Sequence, residues 1–300
     1  MQDLPEFLKP RPDAPVLVHP PQGEVLPLVC DSPHSGTAYP ADFGSCVPLQ
    51  LLRRGEDSLV QQLWETFPEH GATLIEATFP RTYIDPNREE GDINPAMLDG
   101  PWPEPLTPSV KTQQGLGLIW EKISQAGKAT PMYDRKLSVA EVQQRIERYW
   151  RPYHAALAQA IRWSVDRFGG VWHINLHSMP SDVFVRLGQP ERQLADFVLG
   201  DRDGTTCDPA FIRLIGETLQ SQGYSVAYND PYKGVALIGR IGQPEYQRHS
   251  LQIEINRRIY LDEDTREPSA NFAQVQQHLQ EVMRVVAQHV REQMQYLPRS

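Results

Sequence analysis

The sequence predicts a single α/β domain, three layers deep, with helices on both faces of a mixed, mostly parallel sheet. Short apolar runs alternate with helical periodicities along most of the chain, the pattern left by strand–helix–strand units. The 300 residues are 40% hydrophobic, enough for one large core or two small ones. No internal repeat or low-complexity tract divides them.

The elements follow in order. Residues 1–15 are Pro-rich and read as a loose arm, leaving 16–300 as the domain. Residues 25–31 (VLPLVCD) read as a buried strand that ends at Pro-His-Ser-Gly. Leu59, Val60, Leu63 and Phe67 recur at helical spacing and predict a helix over 58–69, stopped at Gly71. A strand is expected at 72–77 and a further short one at 81–85. Residues 86–135 are rich in Pro, Gly and polar residues, and read as a loop excursion or lid. Ser138 is placed as an N-cap, with Glu141 three residues later completing a capping box. That helix runs to about 150, bends at Pro152 and resumes to 168, where Gly169-Gly170 ends it. The run VWHINL is a strand leading into His177. A helix at 209–222, strands at 225–228 and 251–255, and an amphipathic helix at 271–295 complete the chain.

Several function classes are disfavoured. The formal charge is −9 and no long Lys/Arg run occurs, against a nucleic-acid partner. The three cysteines form no framework and no Cys-x-x-Cys. The N-terminus lacks the basic start and apolar run of a signal peptide, and no apolar stretch reaches the ~20 residues needed to span a bilayer. A cytoplasmic protein with no membrane partner is expected. There is no dinucleotide fingerprint, P-loop or Gly-x-Ser-x-Gly elbow.

Chemistry concentrates at strand ends. His34 follows one apolar strand in CDSPHSG and His177 another in INLHSMP. Ligands of open α/β sheets bind beyond the carboxyl ends of strands, so both imidazoles are expected in one crevice. Either alone also fits a loop histidine satisfied by a turn; the two together point to a metal. A catalytic zinc takes three protein ligands, and the third candidate is the Glu56-Asp57 pair, which equally suits a helix N-terminus. In LQIEINRR, Leu251, Ile253 and Ile255 share one face, and Gln252, Glu254 and Asn256 the other. A carboxylate inside a covered sheet must be paired or used. Glu254 is therefore either ion-paired with Arg257 or Arg258, or a general base. The segment PRTYIDPNREEGDIN supplies Arg81, Asp85, Asn87 and Arg88, suited to gripping a carboxylate, although Asp85 equally suits an ion pair with the arginine.

Taken in order, Ser-Pro-His-Ser-Gly, Tyr-Ile-Asp-Pro-Asn-Arg, Asn-Leu-His-Ser-Met-Pro and the Glu254 strand resemble the N-formylglutamate amidohydrolase family. RYWRPYHAAL, VLGDRDGTTCDP and NDPYKG extend the resemblance over roughly 25–262. It implies a phosphorylase/hydrolase-like α/β/α fold related to zinc carboxypeptidases. It also implies one Zn2+ ion, or another divalent metal, on His34, His177 and an acid. Counting to Gly71-Ala72 favours Asp57, with Glu56 as the alternative acid. Glu254 is implied as the base, Asn87 and Arg88 as the substrate-carboxylate clamp, and Lys233 as a substrate-loop residue. The implied reaction is zinc-dependent hydrolysis of an N-acyl amino acid, foremost N-formyl-L-glutamate to formate and L-glutamate. The alternatives are a related deacylase or carboxypeptidase for another carboxylate-bearing substrate, or a non-catalytic ligand-binding member of the fold.

Overall fold

The structure, a computed structural model, describes residues 5–9, 14–125 and 128–298. Among these residues the strands are β1 (Val16–His19), β2 (Leu28–Ser32), β3 (Thr73–Ala77), β4 (Lys122–Gln125), β5 (Lys128–Pro131), β6 (Val171–Met179), β7 (Phe197–Gly200), β8 (Val226–Tyr228) and β9 (Arg248–Asn256). The helices are α1 (Leu49–Leu52), α2 (Val60–Leu63), α3 (Val110–Gln113), α4 (Val139–Arg145), α5 (Arg151–Phe168), α6 (Val183–Arg186), α7 (Pro209–Ser221), α8 (Ala236–Ile241) and α9 (Phe272–Met294). Seven strands form one sheet in the order β1-β3-β2-β6-β9-β7-β8, and β4 pairs with β5 apart from it. From β3 through β2 and β6 to β9 the neighbours are parallel, as β7 and β8 are. β1 runs antiparallel to β3, and β7 to β9.

Strand alternation sorts the residues of the central strands onto two faces. Trp172, Ile174 and Leu176 of β6 and Leu251, Ile253 and Ile255 of β9 pack with α7 and α9 through residues such as Phe211, Ile215, Val282 and Val286. On the opposite face Val29 and Ile75 meet Tyr153, Leu157 and Ile161 of α5, and Val142 of α4. His173, Asn175, His177, Gln252 and Glu254 also point to that face, where polar side chains interrupt the core. Both faces are covered, as the strand–helix alternation predicts.

Four local expectations are corrected. The helix over 58–69 breaks into α2 and a 3-10 turn, Phe67–His70, because Leu59 takes a left-handed conformation with φ 65° and starts α2 afresh. Residues 81–85 are a turn rather than a strand: they lie between Pro80 and Pro86, and Tyr83 N–H donates to Pro80 O. The polar segment 86–135 is packed, with Ile93, Leu118, Ile119 and Trp120 buried in the α5-side cluster. The strand expected to end before His177 continues through it to Met179, because β9 pairs with β6 over nine residues, from Val171↔Arg248 to Met179↔Asn256.

Ser138 does cap α4, its Oγ accepting from Glu141 N–H. The Glu141 carboxylate does not close the expected box, however; it binds Arg135 and Arg145 instead. A π-helical turn, Ile146–Trp150, joins α4 to α5 just before Pro152, whose missing N–H cannot continue the α ladder. Gly169, at φ 83°, closes α5 with its N–H on Val165 O. In the N-terminal stretch, Leu8 is fully buried beside the α5-side core, while 1–4 and 10–13 lie outside the described residues.

Candidate metal centre and active site

β2 ends at Ser32 and delivers His34; β6 carries His177; and the turn before α2 carries Asp57, whose backbone N–H donates to His34 O. The three side chains converge, with one potential ligand atom from each lying within 4.8 Å of the others. Asp57 Oδ2 lies 3.0 Å from His177 Nδ1 and 3.4 Å from His34 Nδ1. Tetrahedral zinc with bonds near 2.0–2.1 Å holds neighbouring ligand atoms about 3.3 Å apart, so these separations fit one ion.

The ring tautomers fit as well. His34 Nε2 donates to Asp85 Oδ1 at 2.8 Å, which leaves Nδ1 unprotonated. That atom is buried and has no hydrogen-bond partner. An unpartnered imidazole lone pair facing a carboxylate suits a metal ion. On the other side, Asn175 donates its amide to both Asp31 oxygens, at 2.9 and 3.0 Å. Its Oδ1 is thereby turned to accept from His177 Nε2 at 2.6 Å, freeing Nδ1 toward Asp57. Asp31 is itself held by His173 Nε2 at 2.9 Å and by the Tyr153 hydroxyl.

Asp57 and Glu56 separate cleanly. Arg257 Nη2 donates to Asp57 Oδ1 at 2.8 Å, aiming the other oxygen between the histidines. Burial pushes the Asp57 carboxyl up, but His177, His34 and Arg257 outweigh it and hold it well below the usual carboxylate range. Glu56 turns away, accepting from Tyr39 Oη at 2.7 Å and Ser58 Oγ at 3.1 Å. It lies outside the cluster.

A cavity of about 220 Å³ opens on this centre, lined by His34, Asp57, His177 and Glu254 among others. Glu254 pairs in register with His177. It is bonded to Gln252 Nε2 at 2.7 Å, not to Arg257 or Arg258. Burial pushes its carboxyl up to about 7; His177 draws it down and the Asp57 charge adds to the rise.

Arg81, Asn87 and Arg88 also line the cavity. Arg81 donates Nε and Nη2 to Asp85 Oδ2, at 3.1 and 2.7 Å, so Asp85 serves both the arginine and His34. Burial pushes the Asp85 carboxyl up, but Arg81, Arg88 and His34 hold it well below its ordinary value. Arg88 is fixed by Leu116 O and Asn87 O, at 2.9 and 3.0 Å. The Asn87 amide also lies 2.8 Å from His177 Nε2; with that nitrogen donating to Asn175, it is the oxygen end of the Asn87 amide, otherwise without a partner, that can accept there. Lys233 does not join them: it is 62% exposed and paired with Asp203 at 2.8 Å, while its neighbour Tyr232 lines the cavity.

Sequence reasoning missed Asp31, His173, Asn175 and Lys111. His173 and Asn175 had a readable signal, since HINLH alternates polar and apolar residues within a strand; Asp31, on a different strand, and Lys111, a cavity-lining residue on a short helix, had none.

Residues 26–261 match the family model described as N-formylglutamate amidohydrolase. The N-formylglutamate deformylase of Pseudomonas aeruginosa is 29% identical over 242 residues, 79% of this chain and 83% of that protein. The Pseudomonas putida protein of the same name is 27% identical with the same coverage. The crystal structure of N-formylglutamate amidohydrolase from Ralstonia eutropha JMP134 superposes with a TM-score of 0.90 at 57% identity, covering 93% of this chain and 99% of that one. A match over most of the length, together with that identity, establishes that the chain belongs to the N-formylglutamate amidohydrolase family of amide hydrolases.

Proposed function

We propose that the chain hydrolyses N-formyl-L-glutamate to formate and L-glutamate, using one divalent metal ion, zinc by its His-Asp-His donor set, on His34, Asp57 and His177. The observation that carries this reading is the buried Glu254 carboxylate, which faces that donor set across one strand register with no cation bonded to it. A bound ion supplies Lewis acidity, acidifying water to a pKa of about 7 and polarising the amide carbonyl.

The chain's own residues do the rest. Glu254 takes the proton of the attacking water and returns it to the departing amine nitrogen. Arg81, held through Nε and Nη2 and lying over the Trp120 ring, keeps Nη1 for the oxygen on which charge develops. Arg88 grips the α-carboxylate and fixes the amide over the centre. Asn175 and Asp85 keep both imidazoles in the ligating tautomer. Cys30, Cys46 and Cys207 are free thiols, which favours a reducing compartment such as the cytoplasm. Among the described residues no helix is long and apolar enough to cross a membrane.

The test is formate release from N-formyl-L-glutamate by zinc-loaded protein. Turnover is expected at a rate that falls when the metal is chelated and recovers when zinc is restored. No formate at saturating substrate would sink the reading.

A further inference from the structure

Beside the Arg88 clamp, the cavity wall carries a second cation with no bonded carboxylate among the described residues. Lys111 lines the cavity from α3, and among the described residues its ammonium makes no hydrogen bond or ion pair. The backbone that carries this half-buried side chain is fixed. Ser109 caps α3 through Lys111 N–H and Thr112 N–H, and Asp92 accepts from Ser109 N–H, Ser109 Oγ and Thr112 Oγ1. The same turn holds Arg88: Leu116 N–H donates to Lys111 O at 2.8 Å, and Leu116 O accepts from Arg88 Nε at 2.9 Å. One short piece of backbone therefore sets the spacing between the two cations.

We infer that Lys111 is the specificity-determining residue that receives the side-chain carboxylate of an acidic N-acyl amino acid, while Arg88 receives its α-carboxylate. This rests on the proposed hydrolysis and names the group that chooses the amino acid. Two carboxylates on one leaving group need two cations on one side of the reacting amide, and the Lys111–Leu116 turn provides that pairing. Of the other cations that line the cavity, Arg257 is bonded to Asp57 and Arg186 to Asp182. Arg54, whose buried Nε has no partner, is the competing cation, but unlike Lys111 it is not tied to Arg88 through one turn, and the experiment includes it. Burial lowers the Lys111 ammonium from its usual value, and Arg88 and Arg81 lower it further. An anionic ligand seated between these cations relieves that repulsion.

The experiment compares kcat/KM for N-formyl-L-glutamate and N-formyl-L-glutamine, which differ in a carboxylate against a neutral amide of the same shape. In Lys111→Met the glutamate-to-glutamine ratio should fall about 10- to 100-fold, carried mainly by KM, as expected for loss of one charge-assisted hydrogen bond. Lys111→Arg should recover part of the ratio, and bound zinc should match wild type in both. An unchanged ratio in Lys111→Met, or a selective fall in Arg54→Met instead, would overturn the assignment of Lys111 while leaving the hydrolase reading intact. A wild-type enzyme that releases no formate from N-formyl-L-glutamate overturns the hydrolase reading, and this inference with it.

Discussion

Glu254 has no cation bonded to it at a site where the neighbouring carboxylates have one: Asp57 has Arg257, and Asp85, behind His34, has Arg81. Leaving a buried carboxylate without a cation raises its proton affinity, which a general base needs and a structural ion pair does not. Glu254→Gln should therefore keep its zinc and lose about 10²- to 10⁴-fold in kcat. Because the base works deprotonated and its pKa is raised to about 7, kcat/KM should rise with pH along an acid limb. A cation on His34, Asp57 and His177 moves that limb to lower pH. The limb should vanish in the variant, and pH–rate profiles with metal analysis check both points; a near-normal kcat would exclude Glu254 as the base. At this scale the sequence was informative wherever a residue's direction followed from strand geometry: His34 beyond a strand end, His177 on the strand it was expected to follow, and Glu254 by alternation. It was silent where direction depends on distant partners. Glu56 and Asp57 are adjacent and chemically alike, and are told apart only by Tyr39 and Arg257. Lys233, expected in a substrate loop, is exposed and paired with Asp203 for the same reason, since a flexible side chain carries no periodicity.

The strands and long helices were legible because burial imposes a period on them, and α7, α9, β3, β8 and β9 fall within a few residues of expectation. The segments that failed obey local constraints without a period. Leu59 breaks a well-patterned helix by its left-handed backbone two residues after Asp57, and its side chain packs against the core. The 86–135 segment hides a packed core contribution behind a polar composition. The His34 loop is under a similar local constraint. A Cβ on Gly36 would stand 2.4 Å from Phe79 O and from the Thr78 carbonyl carbon, all backbone. Gly36→Ala should displace this loop, destabilise the protein by about 1–3 kcal/mol and reduce bound zinc. Thermal melting and metal stoichiometry decide it; unchanged values in both would show that the loop yields freely.

Across the whole molecule, a metal on the proposed ligands would couple the two halves of the sequence, since these come from the loop after β2, the turn before α2, and β6. An ion that binds only the folded chain stabilises it by mass action, about 4 kcal/mol at a thousandfold excess over Kd. Zinc should raise the Tm of wild type and of Glu56→Gln, whose side chain points away, but not that of Asp57→Asn. Calorimetry with and without chelator reads this. Equal zinc shifts in Asp57→Asn and wild type would remove Asp57 from the ligand set.

β6 is the middle strand of seven, and all nine of its residues are buried. His177 on β6, and Glu254 beside it on the almost equally buried β9, thus reside where the chain tolerates substitution least, while Lys111 sits on a four-residue helix at the cavity wall. Chemistry and substrate choice are lodged in parts of the protein with different freedom to drift. Descendants of this scaffold could acquire new acyl amino acids by altering the wall, with the reaction itself inherited unchanged.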